Sequence, residues 1–169
     1  MKIKKIETRL FVVPLSEIMT DATHGDHSHF ELVIVDVTLK NGEIGTGYTY
    51  TGGRGGHAIQ SLINYELAPL LCGFDSSNIN GAFDLMNGHI HYVGRGGIAA
   101  FAMSAIDIAL WDLKGKVSNQ SLLAMLNASS KTTKVYCGGI DLNFSLEKLT
   151  NSVEAVSYTH LTLPTKRIV

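Results

Sequence analysis

The dipeptide Asn41-Gly42 sits between two runs that both read as β-strand, and nothing else in the chain constrains the fold as tightly. Over residues 30–39, Glu31, Val33, Val35, Val37 and Leu39 alternate with Phe30, Leu32, Ile34, Asp36 and Thr38, and the β-branched content favours strand over helix. An Asn-Gly pair supplies the positive φ angles of a tight turn. Residues 44–50 are therefore expected to fold back antiparallel on 30–39, which commits the N-terminal segment to a sheet.

A further strand is expected over 3–13, where Ile3, Leu10 and Val12 mix with charged residues as on an edge or half-exposed strand. Helices follow the cluster Gly52-Gly53-Arg54-Gly55-Gly56. Ile59, Leu62, Ile63 and Leu67 recur at helical spacing until Pro69, and a second helix is predicted over about 78–92. Beyond Gly94-Arg95-Gly96-Gly97, residues 98–113 are apolar except for Ser104, Asp107 and Asp112. That run is shorter than the roughly 20 residues of a bilayer span and carries two acids, so it reads as a buried helix. An amphipathic piece at 122–126 leads to a new strand at 134–137 and a helical start at Ser145. A strand arriving alone after a series of helices signals a second domain that begins and is cut off.

The C-terminal residues are expected to have another origin. Residues 156–165 back-translate into a string resembling a transposase-type sequencing adapter read in frame, with Lys166-Arg-Ile as a variable index and Val169 from the bases after it. The segment 156–169 is accordingly read as non-biological.

Charge excludes some partners. With 14 basic and 15 acidic residues, a net charge of -1 and 17% charged residues, the chain has no field for nucleic acid or an anionic membrane. Cys72 and Cys137 are too far apart for a disulfide framework or paired zinc ligands, and the start Met1-Lys-Ile-Lys-Lys-Ile-Glu7 lacks the apolar core of a signal peptide. A reducing, cytoplasmic location is expected.

The run Ser104-Ala-Ile-Asp-Ile-Ala-Leu-Trp-Asp-Leu-Lys-Gly-Lys116 is, as local physics, a core helix in which small Ala105 and Ala109 permit close packing and Trp111 fills volume. As a pattern it resembles the capping-domain helix of the enolase superfamily, in the mandelate racemase and muconate lactonizing enzyme branch. The opening M-K-I-K-x-I-E strand, the Asn-Gly hairpin, the G-x-G-Y strand at Gly45 to Tyr48 and the K-V-Y-C-G-G strand near Cys137 agree with it. Four longer blocks resemble the branch's cycloisomerases of anhydro sugar acids: His24-Gly-Asp-His27 with His29-Phe-Glu-Leu32, Gly47 to Gly53, His89 to Gly97, and Tyr136 to Leu142. The likeness covers residues 1–154. Its departures are a connector, Ser118-Asn-Gln-Ser-Leu122, without the usual Pro, and Asn127 where a Gly is common.

The resemblance implies an α+β fold: a three-stranded antiparallel meander followed by a helical bundle as an enolase N-terminal-like cap, then the first strand of a truncated TIM-type (β/α) barrel. The corresponding domains are 1–130 for the cap and 131–154 for the start of the barrel. It further implies a parent enzyme that abstracts the proton alpha to a sugar-acid carboxylate and holds Mg2+ through acidic residues at barrel strand ends. On this reading no catalytic residue and no metal ligand lies in this chain, and the fragment alone is inactive. The expected reaction is cycloisomerisation, with acid-sugar dehydratase or racemase as the alternative. From another class, a stand-alone α+β binding module is the competing reading. Homo-oligomerisation of the parent is left open.

Substrate closure is what remains to this segment. The resemblance places two loops, about 19–29 and 50–56, over the barrel mouth, with His24, Asp26, His27, Tyr50 and Arg54 as substrate-binding candidates. Imidazoles and carboxylates at such a mouth hydrogen-bond polyhydroxy acids; a solvated polar loop is the plainer reading. The histidine spacing also suits metal ligands, a reading disfavoured because no Cys or third-site cluster follows and the segment is glycine-broken. Arg54, between glycines that can absorb the rotations of a lid, either meets the substrate carboxylate or only solvates the loop. The glycine cluster lacks the Lys-Ser/Thr of a phosphate loop. Capping is expected of His89, His91 and Arg95, and structural hydrogen bonding of Asp107 and Asp112. Cys137 reads as an inert buried thiol or a pocket-lining one.

Overall fold

The structure, a computed structural model, describes residues 1–130, 132 and 139–160, the last five by backbone alone. Three strands, β1 (Ile3–Asp21), β2 (Gly25–Leu39) and β3 (Ile44–Thr51), form one antiparallel sheet in that order. Helical segments follow: α1 (Gly56–Leu62), a π-helical turn (Ile63–Leu67), α2 (Ala68–Leu71), α3 (Ile79–His89), α4 (Ile98–Ser118), α5 (Leu122–Met125) and α6 (Leu146–His160). The α+β meander-and-helices expectation is met. The strand expected at 134–137, with Cys137, lies outside the described residues, as do 161–169 of the C-terminal segment. No helix among the described residues is long and apolar enough to cross a membrane.

The chain divides into two compact units, Met1–Pro14 with His29–Ala128, and Leu15–Ser28 with Ser129–Val169. In the first, β2 and β3 pair from Glu31↔Thr51 to Thr38↔Ile44. That register turns Val33, Val35, Val37 and Leu39 inward, where they meet Ile59, Ile63, Leu67, Met86, Ile106, Leu110 and Leu113 in one apolar core. The connecting turn differs from a two-residue turn with two positive φ angles. Leu39 C=O accepts from Gly42 N–H (3.1 Å), Leu39 N–H donates to Glu43 C=O (2.8 Å), and only Gly42 takes a positive φ, of 95°. This is the three-residue hairpin loop, a turn followed by a left-handed glycine, and Asn41 contributes by accepting from Glu43 N–H (3.2 Å).

Pro69 does not end the first helix. The π-helical turn before it carries a wider bond, from Ala68 N–H to Ile63 C=O, so Pro69 falls in the opening turn of α2, where a missing N–H is tolerated. The helix predicted over 78–92 closes earlier, at His89, with Asn78 capping its start by accepting from Gly81 N–H. α4 lies against β3 so closely that a Cβ on Gly45 or Gly47 would overlap the backbone of Ala109 or Ala105. The alternate glycines of β3 and the small residues of α4 are thus two halves of one contact.

β1 runs on to Asp21 rather than stopping at Val13, so the expected 19–29 loop is mostly a hairpin whose turn is Ala22 to His24. In the second unit, Thr20 bridges in parallel to Asp141, and Thr20 C=O accepts from Leu142 N–H (3.0 Å). Asn143 donates to Ile18 C=O (2.9 Å), and Lys148 on α6 pairs with Glu17. Ser145 starts α6, as expected, accepting from Lys148 N–H (3.2 Å).

Candidate functional site

The β1–β2 hairpin tip carries a cluster of histidine and aspartate side chains. Asp21 closes the turn: its Oδ1 accepts the backbone N–H groups of Thr23 (2.7 Å) and His24 (2.6 Å), an Asx-type arrangement that orients the carboxylate. Its Oδ2 then lies 3.0 Å from His24 Nδ1 and 2.9 Å from His27 Nε2. The His24 backbone N–H first, and the His27 ring next, hold the Asp21 carboxyl far below the usual carboxylate range. His24 is largely exposed, whereas His27 is only 8% exposed. Their ring centroids are 6.2 Å apart. Asp26 is exposed and accepts from Thr20 Oγ1 at 2.7 Å.

Beside His24 and His27 stands a third potential donor that the spacing of the histidines does not include. Asp21 is that third group, upstream rather than downstream, and the donor atoms of Asp21, His24 and His27 lie within 4.8 Å of one another. The signal available in the sequence was the even Asp-x-x-His-x-x-His spacing across a glycine-broken turn. Such a donor set does not fit magnesium, a hard cation that takes oxygen ligands in octahedral geometry; two of these three donors are imidazole nitrogens.

In the first unit, Tyr50 projects from β3 with most of its surface exposed and packs edge-on against Phe30, ring centroids 6.0 Å apart. Arg54 is exposed within the glycine turn, between Gly53 (φ 92°) and Gly55 (φ 99°). What anchors this turn is Glu31, which sequence reasoning passed over. It lies on the buried face of β2, and its Oε2 accepts from Gly56 N–H (2.7 Å) and Thr51 Oγ1 (2.8 Å). The Gly56 N–H, the largest influence, holds the Glu31 carboxyl below its ordinary value. Gly56 is closely packed: a Cβ would stand 2.8 Å from Leu10 Cδ1 and 2.9 Å from Glu31 Oε2, so those side-chain ends would have to shift and the Glu31 contact with them. The signal was an acid at an inward position of an otherwise apolar alternation.

Three of the remaining candidates, His89, His91 and Asp112, have structural partners. His91 Nδ1 lies 3.1 Å from Gly88 C=O, a capping contact, and His89 Nε2 lies 3.0 Å from Glu66. Asp112 accepts from Thr46 N–H (2.7 Å) and pairs with Lys116 (2.7 Å). Asp107 is half-buried, and burial raises its carboxyl. It borders an apolar groove of about 830 Å³ between α4 and α5, floored by Trp111, Leu122 and Met125, which neither Tyr50 nor Arg54 lines.

A sheet of three strands carrying a long helix on its glycine-bearing edge, with polar groups at the strand ends, is the architecture of an enolase-type capping domain. The chain belongs to the mandelate racemase / muconate lactonizing enzyme family, whose N-terminal domain it matches over residues 5–127. It is 40% identical over 147 residues to a 3,6-anhydro-alpha-L-galactonate cycloisomerase of Streptomyces coelicolor, covering 87% of this chain and 41% of that protein. It is 29% identical over 140 residues to the L-talarate/galactarate dehydratase of Salmonella typhimurium, covering 80% of this chain and 35% of that one. A racemase structure from Streptomyces coelicolor A3(2) with bound magnesium superposes with a TM-score of 0.88 at 37% identity, covering 92% of this chain and 44% of that one. An L-talarate/galactarate dehydratase mutant liganded with Mg and L-glucarate gives 0.82 at 27%, with coverages of 93% and 41%. The chain therefore spans about two fifths of the length of these relatives.

Proposed function

We propose that the chain is the N-terminal capping part of a magnesium-dependent enolase-superfamily enzyme that abstracts the proton alpha to a sugar-acid carboxylate. Its reaction on this reading is the cycloisomerisation of 3,6-anhydro-L-galactonate. The observation that carries it is the 40% identity over 147 residues to a cycloisomerase, against 29% over 140 residues to a dehydratase. Residues 1–130 are the cap and 131–154 open the barrel, while 156–169 are non-biological. The catalytic acid, base and magnesium ligands belong to the barrel, so this segment binds and encloses rather than reacts. The enzyme is cytoplasmic, and its partner is the small sugar acid.

The cap's own groups suit that task. His24 has Nδ1 turned to Asp21, leaving Nε2 as the nitrogen for an external hydroxyl, and exposed Asp26 can accept from another. His27 holds the inner side of the same hairpin. Tyr50 offers a phenol on a face braced by Phe30. Arg54 can engage the substrate carboxylate with two parallel N–H bonds, on a turn whose glycines permit closure while Glu31 fixes its far end. Acid-sugar dehydration is the second reading, favoured by the dehydratase structure with L-glucarate at a TM-score of 0.82.

A chimera tests the choice. Residues 1–130 of this chain replace the cap of the Streptomyces coelicolor cycloisomerase, and the product is assayed with Mg2+ on 3,6-anhydro-L-galactonate and on galactarate. Turnover of the anhydro acid is expected. A folded chimera that acts on galactarate instead would transfer the assignment to dehydration, and one inert towards both would remove the sugar-acid reading.

A further inference from the structure

Magnesium does not suit the hairpin tip, but another class of cation does. We propose that Asp21, His24 and His27 form a binding site for a divalent transition metal of the zinc class at the β1–β2 turn, with one carboxylate oxygen and two imidazole nitrogens as ligands. Three observations carry this.

The first is spacing. Bonds of about 2.0–2.2 Å to nitrogen and oxygen in a tetrahedral site place neighbouring ligands roughly 3.3–3.6 Å apart. Asp21 Oδ2 stands 3.0 Å from His24 Nδ1 and 2.9 Å from His27 Nε2, so each nitrogen needs to move only a few tenths of an ångström from the shared oxygen to reach a ligand edge. All three donors fall within 4.8 Å of one another.

The second is preorganisation. Asp21 Oδ1 is occupied by the Thr23 and His24 backbone N–H groups, which leaves Oδ2 turned to the imidazoles. Outer hydrogen bonds of this kind orient a ligating carboxylate. The turn that makes them is short, and Gly25 closes it at φ 76°. The donors are thus placed by local backbone bonds, and binding need not order a long loop.

The third is chemistry and access. Two imidazoles and one carboxylate suit zinc and its first-row neighbours, and three protein ligands leave a fourth position for water. His27 lies inside the hairpin and His24 outside it, so an ion can enter from the His24 face. In the metal-free form the same atoms hydrogen-bond to Asp21. In the bound form each imidazole presents its lone pair at the ligating nitrogen and carries its proton on the other. His24 Nε2 thereby stays available, and the site does not compete with the hydroxyl contact proposed above.

The test uses the untagged 169-residue chain, freed of metal by chelation and titrated with Zn2+ by calorimetry and with Co2+ by visible absorption, without any sugar acid. Its outcome is therefore independent of the proposed function. One Zn2+ per chain is expected, with Co2+ giving d–d bands, and millimolar Mg2+ should not compete. Asp21→Asn, His24→Ala and His27→Ala should each weaken Zn2+ at least tenfold, whereas His91→Ala should not. His27 is buried, and its variant is interpretable only where circular dichroism matches the parent. His24 is 70% exposed at its side chain, so His24→Ala keeps the fold and carries the decision alone. Absent stoichiometric binding, binding unchanged in His24→Ala, or displacement by Mg2+ would each overturn the site.

Discussion

The backbone N–H of Thr46 donates to Asp112 Oδ2 across 2.7 Å, which gives an edge strand a side-chain partner from the helix that covers it. β3 ends the sheet, so half of its backbone groups point away from β2. Two residues earlier, on the same outward side, Ile44 C=O accepts from Lys116 Nζ at 3.1 Å, and Lys116 pairs with Asp112 at 2.7 Å. One turn of α4 therefore satisfies a donor and an acceptor of an open strand, the groups that would otherwise template pairing with another chain. The Trp-Asp-Leu-Lys-Gly-Lys segment, recognisable as a family pattern, has this as its physical content.

Removing Asp112 should cost more than removing Lys116. A hydrogen bond to a charged acceptor contributes up to about 1.5–3 kcal/mol, at the low end here because the Thr46 contact is exposed, whereas an exposed ion pair contributes about 0–1 kcal/mol. Asp112→Ala is expected to lower the denaturant midpoint clearly, Asp112→Asn by less, and Lys116→Ala least. Urea unfolding followed by circular dichroism ranks the three, and a Lys116→Ala loss exceeding that of Asp112→Ala would refute the edge-satisfaction account.

Glycines in this chain are constrained for different reasons, and alanine scanning separates them. Gly47→Ala forces a methyl into the Ala105 carbonyl, so α4 must move, at a cost of about 1–3 kcal/mol or more. Gly42→Ala meets nothing but must hold φ 95°, which costs more than about 1 kcal/mol without disturbing packing. Gly88, inside α3 with open space around it, should gain about 0.4–1 kcal/mol on becoming Ala. Thermal melts of the three variants should run in opposite directions, and a destabilised Gly88→Ala would contradict the assignment.

Glu31 predicts an acid-limb signature. Its folded carboxyl titrates below the ordinary value because the Gly56 N–H and Thr51 hydroxyl donate to the charged form. A depressed folded pKa contributes stability that is fully present above the unfolded pKa, about 4.3, and is lost as pH falls through the folded one. Glu31→Gln should melt lower near neutrality and lose less than the parent between pH 5 and pH 3. Parallel melting curves across that range would show that the Gly56 contact does not depend on the charge.

The parts legible in sequence were those with a local cause. Alternation over 30–39 placed Val33, Val35, Val37 and Leu39 inward because period two is a property of the strand itself. The turn geometry was only half readable, since Asn-Gly fits both a two-residue loop and the three-residue one found, and the choice is made by the register of Leu39 against Glu43. Pro69 misled because a π-helical turn absorbs it, and such turns leave no periodicity to detect. Asp21 and Glu31 were missed for another reason. Each is anchored in part by backbone N–H groups, Thr23 and His24 at one and Gly56 at the other, and a backbone donor leaves no side-chain signature in the sequence. His24, Asp26 and His27 were legible as polar density, but their mutual arrangement required the extension of β1 to Asp21.

If the cap encloses a sugar acid, its groups should act on binding more than on the chemical step. In the chimera described above, Arg54→Ala removes a charge-assisted contact to the substrate carboxylate, a loss of about 1.5–3 kcal/mol that raises KM at least tenfold. His24→Ala removes one neutral hydrogen bond and should raise KM by severalfold, about 1 kcal/mol. Where proton abstraction falls to the barrel, as the proposed function has it, kcat should change little in either variant, which is the pattern of uniform binding. Steady-state kinetics with and without added guanidinium separates the cases, since guanidinium should restore part of the Arg54→Ala loss and none of the His24→Ala loss. Unchanged KM in both variants would leave these residues as solvated hairpin and turn side chains and return substrate recognition to the barrel.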